Sequence, residues 1–119
     1  MTELSFMIRV TFFIRPHRLE AVKSAVASLG VTGMTVSDVR GMGNSQETTE
    51  WFGGNENGIV PLPIRAKVEV VVSAGLADQI VAAVLDNAQT GESGDGKIFL
   101  ERVEDAIRIR TSERGEAAV

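Results

Sequence analysis

The chain has 119 residues, with 12 Lys and Arg against 16 Asp and Glu, one histidine, no cysteine and no tyrosine, for a formal net charge of −4. That length suits a single domain, 1–119, with a core able to fold alone, and the acidic balance argues against a duplex nucleic-acid binder, which needs a basic face. The lack of cysteine excludes disulfides, iron–sulfur clusters and thiol nucleophiles and is consistent with a cytoplasmic protein.

The N-terminal stretch is apolar in places but broken by Arg9 and Arg15, so it reads neither as a signal peptide nor as a membrane span. Phe6, Ile8, Val10, Phe12 and Ile14 alternate with Met7, Arg9, Thr11 and Phe13, which predicts a first strand with one face on a core. Pro16 then suits the first turn of a helix carried by Leu19, Val22, Val26 and Leu29 and stopped by Gly30. Residues 33–41 are β-branched between glycines and predict a second strand, in which Thr35, Ser37 and Val39 share a face. Residues 42–64 show no sustained period and hold four glycines, three asparagines and two prolines. A loop this long inside a small domain is functional or mobile.

Alternation resumes over 65–73, with Ala66, Val68, Val70 and Val72 on one face, predicting a third strand antiparallel to the second. Leu76, Ile80, Val84 and Ala88, joined by Val81 and Leu85, form a helical stripe. The glycine-rich stretch "TGESGDGKIF" (90–99) leads into a fourth strand at 97–103. Strand, helix, strand, strand, helix, strand is the ferredoxin-like split βαβ plan, an α+β fold with both helices on one face of an antiparallel sheet. By parity Met7, Phe13, Val39 and Val71 fall on the other face, which suggests association through the sheet.

Glycines at 91, 94 and 96 let the backbone bring its N–H groups up to an anion, and Lys97 adds a positive charge. A loop needing only flexibility would look similar. The stretch is not a Walker A loop, because Ile98 follows the lysine where that motif needs Ser or Thr. In an extended chain Arg108 and Arg110, alternating with Ile107 and Ile109, would project together about 7 Å apart; a solvated edge strand would show the same pattern. Together these groups suggest a convergent site for a di- or triphosphate. One histidine, His17, and no cysteine assemble no catalytic constellation, so binding rather than catalysis is expected. Two other classes fit less well: a hydrolase lacks a placed general base, and an RNA-binding sheet needs more aromatics than Phe13 and a basic balance.

"VTGMTVSDVRGMG" (31–43), "TGESGDGKIF" (90–99) and "IRIRTSERGEAA" (107–118) resemble three hallmark stretches of the P-II signal-transduction family, over about residue 6 to the C-terminus. The resemblance implies a homotrimer of ferredoxin-like subunits that binds ATP, ADP or AMP in clefts between subunits and acts on a protein target, a transporter or an enzyme. It assigns 88–97 as the B-loop, 42–64 as the flexible T-loop that meets the target, and 107–119 as a C-terminal nucleotide-binding segment. Thr35, Gly41, Gly43, Glu69, Val71, Gly94, Asp95, Gly96, Lys97, Arg108 and Arg110 then stand at nucleotide positions, Val71 acting through its backbone. The T-loop departs from the family pattern. The glutamine that helps magnesium and ATP hold 2-oxoglutarate aligns with Ser45, Gln46 is one place off, and the arginine before it is Asn44. The modifiable tyrosine falls at Asn57, so tyrosine nucleotidylation is excluded. A hydroxyl reaches a metal less well than an amide, so magnesium is not carried over with the nucleotide. These departures resemble the carboxysome-associated P-II-like proteins, which implies bicarbonate as a small-anion effector near Arg65 and Ser45 and a role in inorganic carbon uptake. Nitrogen regulation through 2-oxoglutarate is the other implied role. Trp51 and Phe52 are candidate partner anchors, or fold back on the subunit.

Overall fold

A computed structural model of the chain describes residues 6–41 and 62–119. Gly43, Ser45, Gln46, Trp51, Phe52 and most of the stretch assigned as T-loop lie outside the described residues.

The elements are β1 (Met7–Ile14), a 3₁₀ turn (Pro16–Arg18), α1 (Leu19–Ala27), β2 (Thr35–Arg40), β3 (Ile64–Ser73), α2 (Ala74–Ala88), β4 (Gly96–Val103) and a final 3₁₀ turn (Gly115–Ala118). The sheet is four-stranded, in the order β2-β3-β1-β4, and every neighbouring pair is antiparallel. This is the ferredoxin-like plan expected from the element order. The helix expected at Pro16 begins three residues later, because the proline and the two residues after it form a 3₁₀ turn closed by the Arg18 N–H donating to the Arg15 carbonyl at 3.0 Å.

Alternation places the core. Val10, Phe12 and Ile14 of β1 and Ala66, Val68, Val70 and Val72 of β3 face Val22 and Val26 of α1 and Ala77, Ile80, Val84 and Ala88 of α2, and all of these are buried. Phe12 and Ile80 are fully enclosed, and burying each such side chain contributes about 1.5–3 kcal/mol. Leu100 stands in register with Val10 yet is half exposed on the edge strand β4, whose Ile98 still packs against the core. Leu85, expected in the helical stripe, is also half exposed.

Register sets the opposite, helix-free face. One row runs Thr35, Glu69, Thr11, Phe99 across the sheet, and the next runs Ser37, Lys67, Phe13, Lys97. Phe13 and Phe99 meet edge to face with centroids 6.1 Å apart, and the Lys67 ammonium lies 5.9 Å from the Phe13 ring centre. The face mixes these rings with the pairs Lys67–Glu69 at 3.3 Å and Arg9–Glu101 at 4.0 Å. Among the described residues no helix is long and apolar enough to cross a membrane.

Candidate functional site

The glycine-rich loop links the end of α2 to the start of β4, and an acid organises it from within. Asp95 Oδ2 accepts the backbone N–H groups of Thr90 at 2.8 Å and Gly91 at 2.9 Å, while Oδ1 accepts the Thr90 hydroxyl and the Arg15 Nε at 3.2 Å. Arg15 reaches further and donates through Nη2 to the Ser93 carbonyl at 2.6 Å. The Thr90 hydroxyl, the two N–H groups and Arg15 together hold the Asp95 carboxyl well below the usual carboxylate range, against an opposing push from burial. Asp95 therefore stays charged at neutral pH with its oxygens turned to the loop's own donors. A carboxylate so committed shapes the loop.

Gly94 has φ +98° and Gly96 φ +113°, both in the region that favours glycine. At Gly96 the reason is also spatial: a Cβ there would sit 1.7 Å from the Phe13 carbonyl oxygen. Gly96 thus lets the loop press against the end of β1 as β4 begins. A cleft of about 300 Å³ opens beside it, with Leu85, Ala88, Lys97 and Ile98 among its lining. That is the lower end of the size range for small-molecule pockets.

Register places other candidates at the same end of the sheet. Gly96 pairs with Ile14, Ile14 with Ala66 and Ala66 with Asp38, so the loop, Gly41 and Arg65 share that end. The Gly41 N–H donates to the Pro63 carbonyl at 3.2 Å and closes the base of the segment that leaves β2 and returns at β3. Thr35 and Glu69 are paired near the middle of the sheet, and Val71 lies one row further toward the opposite end.

Arg108 and Arg110 occupy that opposite end. β4 runs for eight residues from Gly96 to Val103, about 23 Å at strand rise, so the loop and the arginines do not converge within one chain. Nor is the segment extended as its alternation suggested. Ile107 pairs with Arg114, Arg108 O accepts the N–H of Ser112 at 2.7 Å, and Ser112 takes φ +62°. The turn is set by Asp105, which accepts the N–H groups of Ala106 at 2.8 Å and Gly115 at 3.1 Å and pairs with Arg114 at 3.0 Å. Arg108 is drawn inward, with Nε 3.6 Å from Glu113 and Nη2 donating to the Ala117 carbonyl at 3.2 Å. Arg110 and Ile109 stand exposed at the tip of the turn.

The family model described as nitrogen regulatory protein P-II matches residues 7–113. The chain belongs to the P-II family. The P-II protein of Haemophilus influenzae is 43% identical over 113 residues, covering 95% of this chain and all of the relative. Among solved structures, Arabidopsis thaliana PII bound to citrate superposes with a TM-score of 0.78 at 37% identity, over 97% of this chain and 94% of that one. A Bacillus subtilis GlnK–ATP complex gives the same TM-score at 32% identity, over 97% and 99%.

This P-II chain is accordingly a regulatory protein, and its fold divides the candidate residues into two groups. Gly41, Arg65, Gly94, Gly96 and Lys97 gather at the loop end, whereas Thr35, Glu69, Val71, Arg108 and Arg110 run from mid-sheet to the far end. Sequence reasoning missed Arg15, Asp105 and Glu113. A Thr-Ser-Glu-Arg cluster between Ile107 and Gly115 was a readable turn signal; nothing local in the sequence linked Arg15 to Asp95.

Proposed function

We propose that this P-II protein is an adenine-nucleotide sensor whose phosphate site is built from two copies of the chain. The observation that carries the reading is the separation of its halves: the glycine loop with Lys97 stands at one end of β4 and the arginine turn at the other. A head-to-tail contact between copies would bring Gly94, Gly96 and Lys97 of one to Arg108 and Arg110 of the next, with Thr35, Glu69 and Val71 beside the arginines. Such heterologous contacts close into a ring when the rotation permits, and a homotrimer is the ring proposed here. The rings of Phe13 and half-exposed Phe99 on the helix-free face supply apolar surface for that contact.

The ligand class follows from the donors. Backbone N–H groups, an ammonium and two guanidinium groups suit a di- or triphosphate, and a structurally similar relative holds ATP. Binding rather than hydrolysis is the activity proposed: of the loop's two acids, Glu92 and Asp95, Asp95 is committed to the loop's own donors and to Arg15. The segment 42–64, which follows Gly41 and precedes Arg65, is the part proposed to meet a protein target.

Isothermal titration with ATP, ADP and AMP, each alone, with 2-oxoglutarate plus Mg²⁺, and with bicarbonate, tests the reading. Micromolar binding of at least one nucleotide by a trimer is expected. Tighter nucleotide binding with 2-oxoglutarate assigns nitrogen signalling, and tighter binding with bicarbonate alone assigns a carbon-linked role. No nucleotide binding overturns the reading.

A further inference from the structure

We propose that Arg15, which lies outside the glycine-rich stretch, is a positioning residue for anion binding: it clasps Asp95 and the Ser93 carbonyl, shaping the loop while cancelling the carboxylate behind it. The inference rests on the nucleotide reading above.

A loop that receives phosphate with backbone N–H groups gains nothing from an acid in its own sequence, yet Asp95 is needed to gather Thr90 and Gly91. Its charge would repel an incoming polyphosphate unless something opposes it. Arg15 does so from the end of β1, directly before Pro16, with Nε on Asp95 and Nη2 on the Ser93 carbonyl. The side chains of both are part-buried, at 17% and 21% exposure, so solvent screens the pair somewhat less than a fully exposed ion pair. The guanidinium fork matters as well as its charge, because one group must hold a carboxylate and a carbonyl together. Loop shape and loop electrostatics thus depend on one residue 80 positions away in sequence.

The two roles separate experimentally, since repulsion from a bare carboxylate grows with ligand charge while a shape defect does not. In Arg15→Gln the full-length protein should bind ATP about tenfold more weakly, ADP less affected and AMP least. Arg15→Lys keeps the charge but not the fork, and should weaken all three nucleotides by a similar small factor. Arg15→Gln/Asp95→Asn removes both charges and should restore the wild-type ratio of ATP to AMP affinity. Titration calorimetry of each variant, with circular dichroism for folding, reads these ratios. An unchanged ATP affinity, or an equal loss for all three nucleotides, in Arg15→Gln overturns the proposal. Should that variant fail to fold, Asp95→Asn decides: with one negative charge fewer in the loop the ATP-to-AMP ratio should rise, and an unchanged or lower ratio overturns the proposal. Absence of nucleotide binding in the wild type would instead sink the functional reading on which it rests.

Discussion

Gly96→Ala is the sharpest test of how the loop is built. The new Cβ would stand 1.7 Å from the Phe13 carbonyl oxygen and 2.8 Å from its carbon, both backbone atoms that no side-chain rotation can move. To reach even 3.0 Å, the start of β4 must withdraw from β1 by about 1.3 Å, which strains or breaks ladder hydrogen bonds worth about 0.5–1.5 kcal/mol each. The backbone φ of +113° adds about 1–3 kcal/mol for a non-glycine residue. A loss of about 3 kcal/mol or more follows. Gly91→Ala is the control: its φ is +88° but a Cβ there meets nothing within 4 Å, so only the backbone strain of about 1–3 kcal/mol remains. Urea unfolding at one fixed protein concentration reads the difference, since the stability of an oligomer depends on concentration. A Gly96→Ala midpoint equal to that of Gly91→Ala would refute the close approach to Phe13.

Ser112→Gly should stabilise the protein by about 1 kcal/mol, because Ser112 has φ +62° and an L side chain costs about 1–2 kcal/mol there; a lower melting temperature would contradict the turn. Asp95 has its folded pKa depressed, so its contribution to stability is complete above the ordinary carboxyl value of about 3.9 and is lost as pH falls below it, when the unfolded chain takes up the proton first. Asp95→Asn should therefore remove part of the acid sensitivity seen in urea midpoints between neutral pH and pH about 3, and an unchanged slope would deny the clasp. Glu113→Gln frees Arg108 from an exposed ion pair worth about 0–1 kcal/mol, so ATP affinity should rise by at most about fivefold; weaker binding would mean that Glu113 holds Arg108 in its working position.

The parts of the fold that could be read from the chain were those with a local period. Alternation in β1 and β3 separated the helix-facing residues from Phe13 and Val71 without any tertiary information, and the observed register agrees residue for residue. Edge effects were not readable: Leu85 and Leu100 have core-type side chains but stay half exposed, Leu100 on the edge strand β4. The same local reasoning failed at 107–110, where Ile-Arg-Ile-Arg has strand alternation but Asp105 and Glu113, on either side of it, close a turn. The two halves of the candidate site were legible as motifs, but their distance was not, because it is set by the direction of β4 between them. Arg15 was hidden for a related reason: it ends a strand beside a proline, and only the fold carries it to Asp95.

The direction of β4 also decides what a nucleotide could control. Gly41, at the base of the segment 42–64, shares the loop end with Gly96, so a phosphate held there would lie near the place where the chain leaves β2. On the proposed reading ADP and ATP differ by one phosphate, which can add two or three charge-assisted hydrogen bonds of about 1.5–3 kcal/mol each before ordering costs. Only contacts made in one state of the segment and not in the other can shift its equilibrium. Moving it from 1:99 to 99:1 requires about 5.5 kcal/mol of such difference, within the roughly 3–9 kcal/mol those bonds span, so the shift is complete only where most of them are made in one state alone. Where only some of those bonds distinguish the two states, replacing ADP with ATP should bias the segment by degrees, and a second effector bound at its base, beside Arg65, would then be needed to make the response all or none.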